Sequence, residues 1–263
     1  MVTTPTSPTS PTSPTSPTTP VYGRGPRALL PTVGRLVERV AARRSAPALH
    51  PHGVGCAATL RIRPAGRPWG VPWLDRHAEY EVRMRWSRAL GLPGRLPDGL
   101  GIALRVQDAD GSGRPLDLLF TSSGGGSLTR HVPLPRLDAL AGPYSALVSY
   151  RVGDRTALPA LWPERTDSGR PALPGDLASL RRALTAGPLA FTLGAAEPGQ
   201  PWRALGTLTT GTPEEPEDPD YDAYDPYLHP LPDLRPTARL SRLREVAYAA
   251  SRAGRGASVP GED

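Results

Sequence analysis

The sequence predicts an α+β protein built on a closed antiparallel β-barrel, with helical insertions, a wrapping arm and a C-terminal helix. Three observations predict it. Apolar and polar residues alternate with a period of two through several consecutive runs. Turn chemistry joins two of those runs as a hairpin. A proline-broken acidic stretch then precedes a last amphipathic helical segment.

Taken in order, residues 1–20 are almost purely Thr, Pro and Ser, repeating from Thr4 to Thr18. Such a tract buries no apolar surface, so a disordered tail is expected. It has neither the basic start nor the apolar centre of a secretory signal. Residues 21–47 form an N-terminal helical arm, in which Leu36, Val37 and Val40 share a face with arginines opposite. The barrel is expected over 48–211. In its first strand Val54, Cys56, Ala58, Leu60 and Ile62 alternate with Gly55, Ala57, Thr59, Arg61 and Arg63. In the next, Tyr80, Val82, Met84 and Trp86 alternate with Glu79, Glu81, Arg83, Arg85 and Ser87.

Ile102, Leu104 and Val106 lead into the turn Asp108-Ala-Asp-Gly-Ser-Gly113, and Leu116 to Thr121 completes a hairpin. Further strands are expected at Tyr144 to Val152, Leu189 to Gly194 and Ala204 to Thr209, with helical patterns at Leu134 to Leu140 and Asp176 to Thr185. Residues 212–256 hold an acidic arm and a helix from Arg239 to Arg252 that buries Leu240, Leu243 and Val246. A short disordered tail, 257–263, follows.

The chain has 263 residues and a net charge of +6. All 31 basic residues are arginine, and neither lysine nor asparagine occurs. The arginines are scattered among apolar residues rather than gathered beside stacking aromatics, which argues against a nucleic-acid surface. No run approaches the ~18 apolar residues that span a bilayer, so no membrane contact is expected. The lone Cys56, on an apolar strand face, excludes an internal disulfide framework and reads as a buried thiol. These features favour a cytoplasmic protein.

Asp108-x-Asp110-Gly lacks a carboxylate at the twelfth loop position, where Leu119 stands, so it is not a calcium loop. Gly124-Gly-Gly126 lacks a P-loop lysine and reads as a turn. Glu214 to Asp225 reads as a solvated acidic arm, and His77, His131 and His229 as surface residues.

Two stretches nearly 200 residues apart carry the functional signal. Ala48-Leu-His50-Pro-His52-Gly53-Val-Gly55 places a histidine ahead of a Gly-x-Gly strand start. Arg244-Glu-Val-Ala-Tyr248 places a phenol one helical turn after a guanidinium, on the same face. With Arg85-Trp86-Ser87, Leu96-Pro-Asp-Gly-Leu-Gly101, Leu205-Gly-Thr-Leu-Thr209, Ala223-Tyr-Asp-Pro226 and Arg255, these segments resemble the haem-dependent catalase superfamily, as a divergent, short member. The landmarks run in the family's order from about residue 48 to 255.

The resemblance implies a haem b cofactor with Tyr248 as axial ligand to the iron. Arg244 would lower the phenol's pKa to favour phenolate, and Arg85 and Arg255 would pair with propionates. His50 and Ser87 would be catalytic: His50 moves a proton between the two peroxide oxygens, and Ser87 orients His50. The implied activity is that of a peroxidase or weak catalase on peroxide or organic hydroperoxides, with homo-oligomerisation left open.

This chain departs from the family at three points. No asparagine is available to position peroxide, and Leu118 to Ser123 offers only Thr121 and two serines. Pro47 replaces an arginine ahead of His50, and only Phe120 and Phe191 supply phenylalanine. The alternative is therefore a haem-free catalase-fold binding or interaction module without redox activity.

Overall fold

The computed structural model describes residues 52–89, 96–164, 172–214 and 224–237. Among the described residues ten strands are formed: β1 (His52–Ile62), β2 (Ala78–Arg88), β3 (Leu100–Val106), β4 (Leu116–Ser122), β5 (Tyr144–Ser145), β6 (Tyr150–Val152), β7 (Arg155–Pro163), β8 (Ala190–Ala196), β9 (Arg203–Pro213) and β10 (Leu234–Pro236). A one-turn helix α1 (Pro72–Asp75) follows β1, and α2 (Leu177–Ala186) follows β7. All the pairings are antiparallel. β1–β5, β7, β8 and β9 close on themselves through the β7–β8 and β9–β1 pairings, giving the expected closed barrel, with eight strands. β6 and β10 extend from β7 as a small three-stranded ribbon.

The alternation read from sequence sorts the two barrel faces. Leu60, Met84, Trp86, Ile102, Leu104, Leu118 and Phe120 point inward and are buried, with Cys56 a buried thiol among them. Trp86 sits at the centre, edge-to-face with Phe191 at 5.6 Å and with Tyr144 at 6.2 Å. Burial pushes the Tyr144 phenol far above its usual range, so it stays neutral and donates to the Ala139 carbonyl at 2.6 Å.

Each barrel end has its own closure. Where β1 leaves, Asp75 accepts from the backbone N–H groups of Trp69, Gly70 and Val71, and the guanidinium groups of Arg155 and Arg203 each pack against the Trp69 ring. At the end where β1 begins, Arg88 is buried and donates to Asp98 and to the carbonyls of Leu96 and Gly175.

Several expectations are corrected. Leu134 to Leu140 is not helical but extended and turned, although its leucines recur every third residue. Pro133 and Pro135 interrupt it, Arg136 pairs with Asp98, and the Asp138 carboxylate accepts from the N–H groups of Leu140 and Leu173. The run from Tyr144 to Val152 is two strands, broken where Leu147 takes φ 60°. Strand β7 was not expected, because Pro159 and Pro163 lie in it. Pro159 stands where the β6 pairing, ending at Ala157, gives way to the β5 pairing, beginning at Ala160. Its carbonyl still accepts from the Ala146 N–H at 3.0 Å, so the missing N–H removes only the reciprocal bond at that end of the ladder.

Helix α2 agrees with expectation: Asp176 caps it, accepting from the Ser179 N–H at 2.9 Å. It packs against β1, β9 and β2, with Leu180 and Leu184 joining the barrel core. The expected N-terminal helical arm and C-terminal helix lie outside the described residues.

Candidate site on the outer face of strands β1 to β4

The outward-facing residues of β1–β4 line up in cross-strand rows. The row nearest the start of β1 is Gly53, Ser87, Gly101 and Thr121. Next comes Gly55, Arg85, Ala103 and Leu119, and then Ala57, Arg83, Arg105 and Asp117. Apart from Leu119, the first two rows form a floor of small residues that carries one guanidinium and two hydroxyls. Residues 224–237 bound it over β3 and β4.

Arg85 does not stand above its own partner Gly55. Its guanidinium lies over Gly53, where an added Cβ would sit 2.8 Å from Arg85 Cζ and 3.0 Å from the Trp86 carbonyl oxygen. Gly53 is therefore what allows Arg85 to lean toward the start of β1. Ser87, paired directly with Gly53, is buried and donates from Oγ to the Gly101 carbonyl at 3.3 Å. Arg85 and Ser87 thus converge on the end of β1 that leads back to His50. His50, Arg244, Tyr248 and Arg255 lie outside the described residues.

The structure separates the three hydroxyls that close β4. Thr121 faces outward in the row of Ser87. Ser122 is fully buried, donating to the Leu134 carbonyl at 2.7 Å and accepting from the Leu100 N–H at 3.0 Å. Ser123 is buried and donates to the Gly124 carbonyl. Only Thr121 shares a face with Arg85 and Ser87.

A second polar cluster anchors the segment that bounds this face. Asp117 is fully buried yet accepts from Arg105 Nε at 2.8 Å, Arg105 Nη2 at 2.7 Å, His229 Nδ1 at 2.9 Å and the Asp225 N–H at 2.8 Å. Arg105 also stacks on Tyr224, 5.0 Å from its ring centre. Two expectations change accordingly. His229 is not a bare surface residue but a half-buried partner of a buried carboxylate. The acidic arm is solvated at most in part, since Tyr224 and Asp225 at its end are buried. Sequence gave no signal for this cluster, because Asp117 and His229 are 112 residues apart.

Among the described residues no group of three or more His, Cys, Asp or Glu side chains is gathered, so no such donor set for a metal exists there. No helix among them is long and apolar enough to cross a membrane.

No protein-family model matches the chain, and no curated protein matches it. Solved structures do. The fold superposes on a fungal catalase at a TM-score of 0.58, with 14% identity over 93% of this chain and 66% of that one. A bacterial catalase matches at 0.59, with 13% identity over 89% and 62%. Catalase A from Saccharomyces cerevisiae matches at 0.59, with 10% identity over 93% and 68%. The chain thus spans about two thirds of the length of these catalases.

Proposed function

We propose, from the catalase fold of this barrel and the polar groups gathered at the start of β1, that the chain binds haem on the outer face of β1–β4 and acts on peroxides. The observation that carries the reading is the convergence of Arg85 and Ser87 on Gly53, three residues past His50. The described residues fit such a group in two respects. Glycine and alanine at Gly53, Gly55, Gly101 and Ala103 leave the floor low enough for a flat ring. Arg85 supplies a fixed cation on that floor for a carboxylate, and guanidinium forms paired charge-assisted bonds with such groups.

In this reading Tyr248 ligates the iron, Arg244 favours its phenolate, and Arg85 and Arg255 hold the propionates. Haem, when bound, supplies the redox chemistry that cleaves the peroxide O–O bond. The chain's own residues do the rest. His50 accepts a proton from one peroxide oxygen and returns it to the other as that oxygen leaves. Ser87 holds the histidine in place, and Thr121 Oγ1 is the outward hydroxyl nearest in role to a peroxide-positioning group.

The reading is tested by titrating the full chain with haem. A Soret band that saturates at one haem per chain is expected, and a chain that stays colourless under excess haem would end the proposal. Gly53→Val should push the Arg85 guanidinium off its seat. Losing one charge-assisted bond costs about 1.5–3 kcal/mol, so haem affinity should fall roughly ten- to a hundredfold. Unchanged affinity would remove Arg85 from the site.

The balance of activities follows from the missing asparagine. Oxygen release from hydrogen peroxide needs a second peroxide molecule held in place, and one lost hydrogen bond to a positioned reactant costs about 1–3 kcal/mol, or one to two decades in rate. Dye oxidation, or turnover of organic hydroperoxides, should therefore exceed oxygen release in the same haem-loaded sample. Thr121→Asn should raise oxygen release. Fast oxygen release without dye oxidation in the unaltered chain would contradict this.

The second reading, a haem-free interaction module, is favoured by the same missing asparagine and by Leu119, whose side chain stands on the floor in the row of Arg85. It predicts no Soret band at any haem concentration.

A further inference from the structure

On the outside of β7, β8, β9 and β1, strand pairing sets another row of side chains. Trp162 is opposite Thr192, Thr192 opposite Thr207, and Thr207 opposite Arg61. The residues that alternate with them, among them Leu161, Phe191, Leu208 and Leu60, are buried in the core, so the row faces outward.

Glu164 follows β7 and stands in the next row, where its N–H bonds the Ala190 carbonyl at 2.8 Å. Ala190 has only a methyl group there, so the Glu164 carboxylate lies across β8. Its Oε1 accepts from Thr192 Oγ1 at 3.0 Å and from Thr207 Oγ1 at 3.4 Å. Among the described residues Glu164 has no cationic partner, and its Oε2 makes no hydrogen bond. Arg61, the cation of the row, is already paired with Glu79 at 2.6 Å. Glu164 is thus an exposed carboxylate, fixed through one oxygen and open at the other.

Trp162 beside it is half-buried and meets Trp202 edge to face, with ring centres 4.3 Å apart. Trp202 is itself fixed, since its indole N–H donates to the Gly125 carbonyl at 3.2 Å and Arg130 packs against its ring. Strands β7 and β9 run in the same direction, both antiparallel to β8. Trp202, just before β9, and Glu164, just after β7, therefore flank Trp162 from opposite sides. Trp162 and Glu164 are two residues apart on one strand face, a spacing of ~6.7 Å.

A braced indole beside an acceptor-only group suits a ligand with an apolar face and a rim of hydroxyl donors. We propose that this face binds a pyranose unit of a neutral saccharide. The C–H groups of the sugar ring lie against Trp162, and adjacent hydroxyls donate to Glu164 Oε2. Thr192 and Thr207, whose hydroxyl hydrogens are turned to Glu164, accept from a further hydroxyl. The site shares no residue with the haem floor and does not depend on haem.

Tryptophan emission and calorimetry of the full chain test it, with hexasaccharides of β-1,4-glucose, α-1,4-glucose and α-1,6-mannose as probes. Trp69, Trp73 and Trp86 are buried, so a bound sugar alters the emission of Trp162 and Trp202. A saturable change with at least one of the three is expected, insensitive to added salt because the ligand is neutral. Glu164→Gln keeps the shape of the side chain and removes its charge, and should weaken that binding about tenfold. Trp162→Ala should abolish it, while Trp162→Phe keeps part of it. Absence of saturable binding for all three, or affinity unchanged in Glu164→Gln, would overturn the proposal. An emission change with tetramethylammonium chloride and with none of the saccharides would also overturn it, since ring and carboxylate would then serve an organic cation.

Discussion

Asp117→Ala is expected to cost the fold about 3–5 kcal/mol, the usual consequence of removing one member of a buried ion pair. The substitution leaves Arg105, whose side chain is only 15% exposed, without its carboxylate. It also strips His229 Nδ1 and the Asp225 N–H of their acceptor. Against a typical total of ~5–15 kcal/mol this is a large fraction. Residues 224–237 should be affected before the barrel, because Asp117 joins them to β3 and β4. Chymotrypsin cleavage after Tyr227 should accelerate in native buffer, and the urea midpoint should fall. Both consequences bear on function. The chain runs on from Thr237 toward Arg244 and Tyr248, so a loosened arm should also retain haem poorly. An unchanged urea midpoint would show that the Asp117 cluster does not hold the arm.

Trp86→Ala is expected to be comparably damaging, at about 3–5 kcal/mol from lost burial and the cavity left behind. Trp86 is fully buried and meets Tyr144 and Phe191 edge to face, geometry that adds to its burial. Trp86→Phe keeps an aromatic edge in the same place and should cost clearly less. Denaturant unfolding of the two variants decides this, and equal midpoints would mean that the barrel interior repacks around the void. The comparison also tests how the two faces of β2 divide their work. Trp86 serves the core while its neighbours Arg85 and Ser87 serve the outer face, so Trp86→Phe should leave properties of the outer face unaltered.

The parts of this fold that can be read from sequence are those that repeat locally. In β1 to β4 every second residue faces the core, so the alternation of Val54 to Ile62, or of Tyr80 to Trp86, is a direct record of burial. The N-cap Asp176 and the Asp108–Gly113 turn are equally local. In that turn Gly113 N–H bonds Asp108 Oδ1 at 2.6 Å. Strand β7 escaped because proline is normally a sign against a central strand, and its place here depends on where two other strands end. The leucines of 134–140 imitate a helical stripe, but the bonds that settle their conformation come from Asp98 and Leu173.

The candidate site shows the same division. That Arg85 and Ser87 share a face is a matter of parity and was legible. That Arg85 leans over Gly53, and that Thr121 rather than Ser122 faces outward beside them, needed the neighbouring strands in place. The Asp117–His229 contact was beyond any local pattern, because the two residues meet only after the chain has gone round the barrel.

The central claim is that the catalase-fold barrel presents its β1–β4 face to a haem ligated by Tyr248. The most direct measurement is the absorption spectrum of the ferric haem complex of the full chain beside that of Tyr248→Phe. A saturating Soret band with a tyrosinate-type ferric spectrum in the unaltered chain, lost in Tyr248→Phe while the urea midpoint is unchanged, is the result expected. Identical spectra for the two proteins, or no haem spectrum in either, would contradict it.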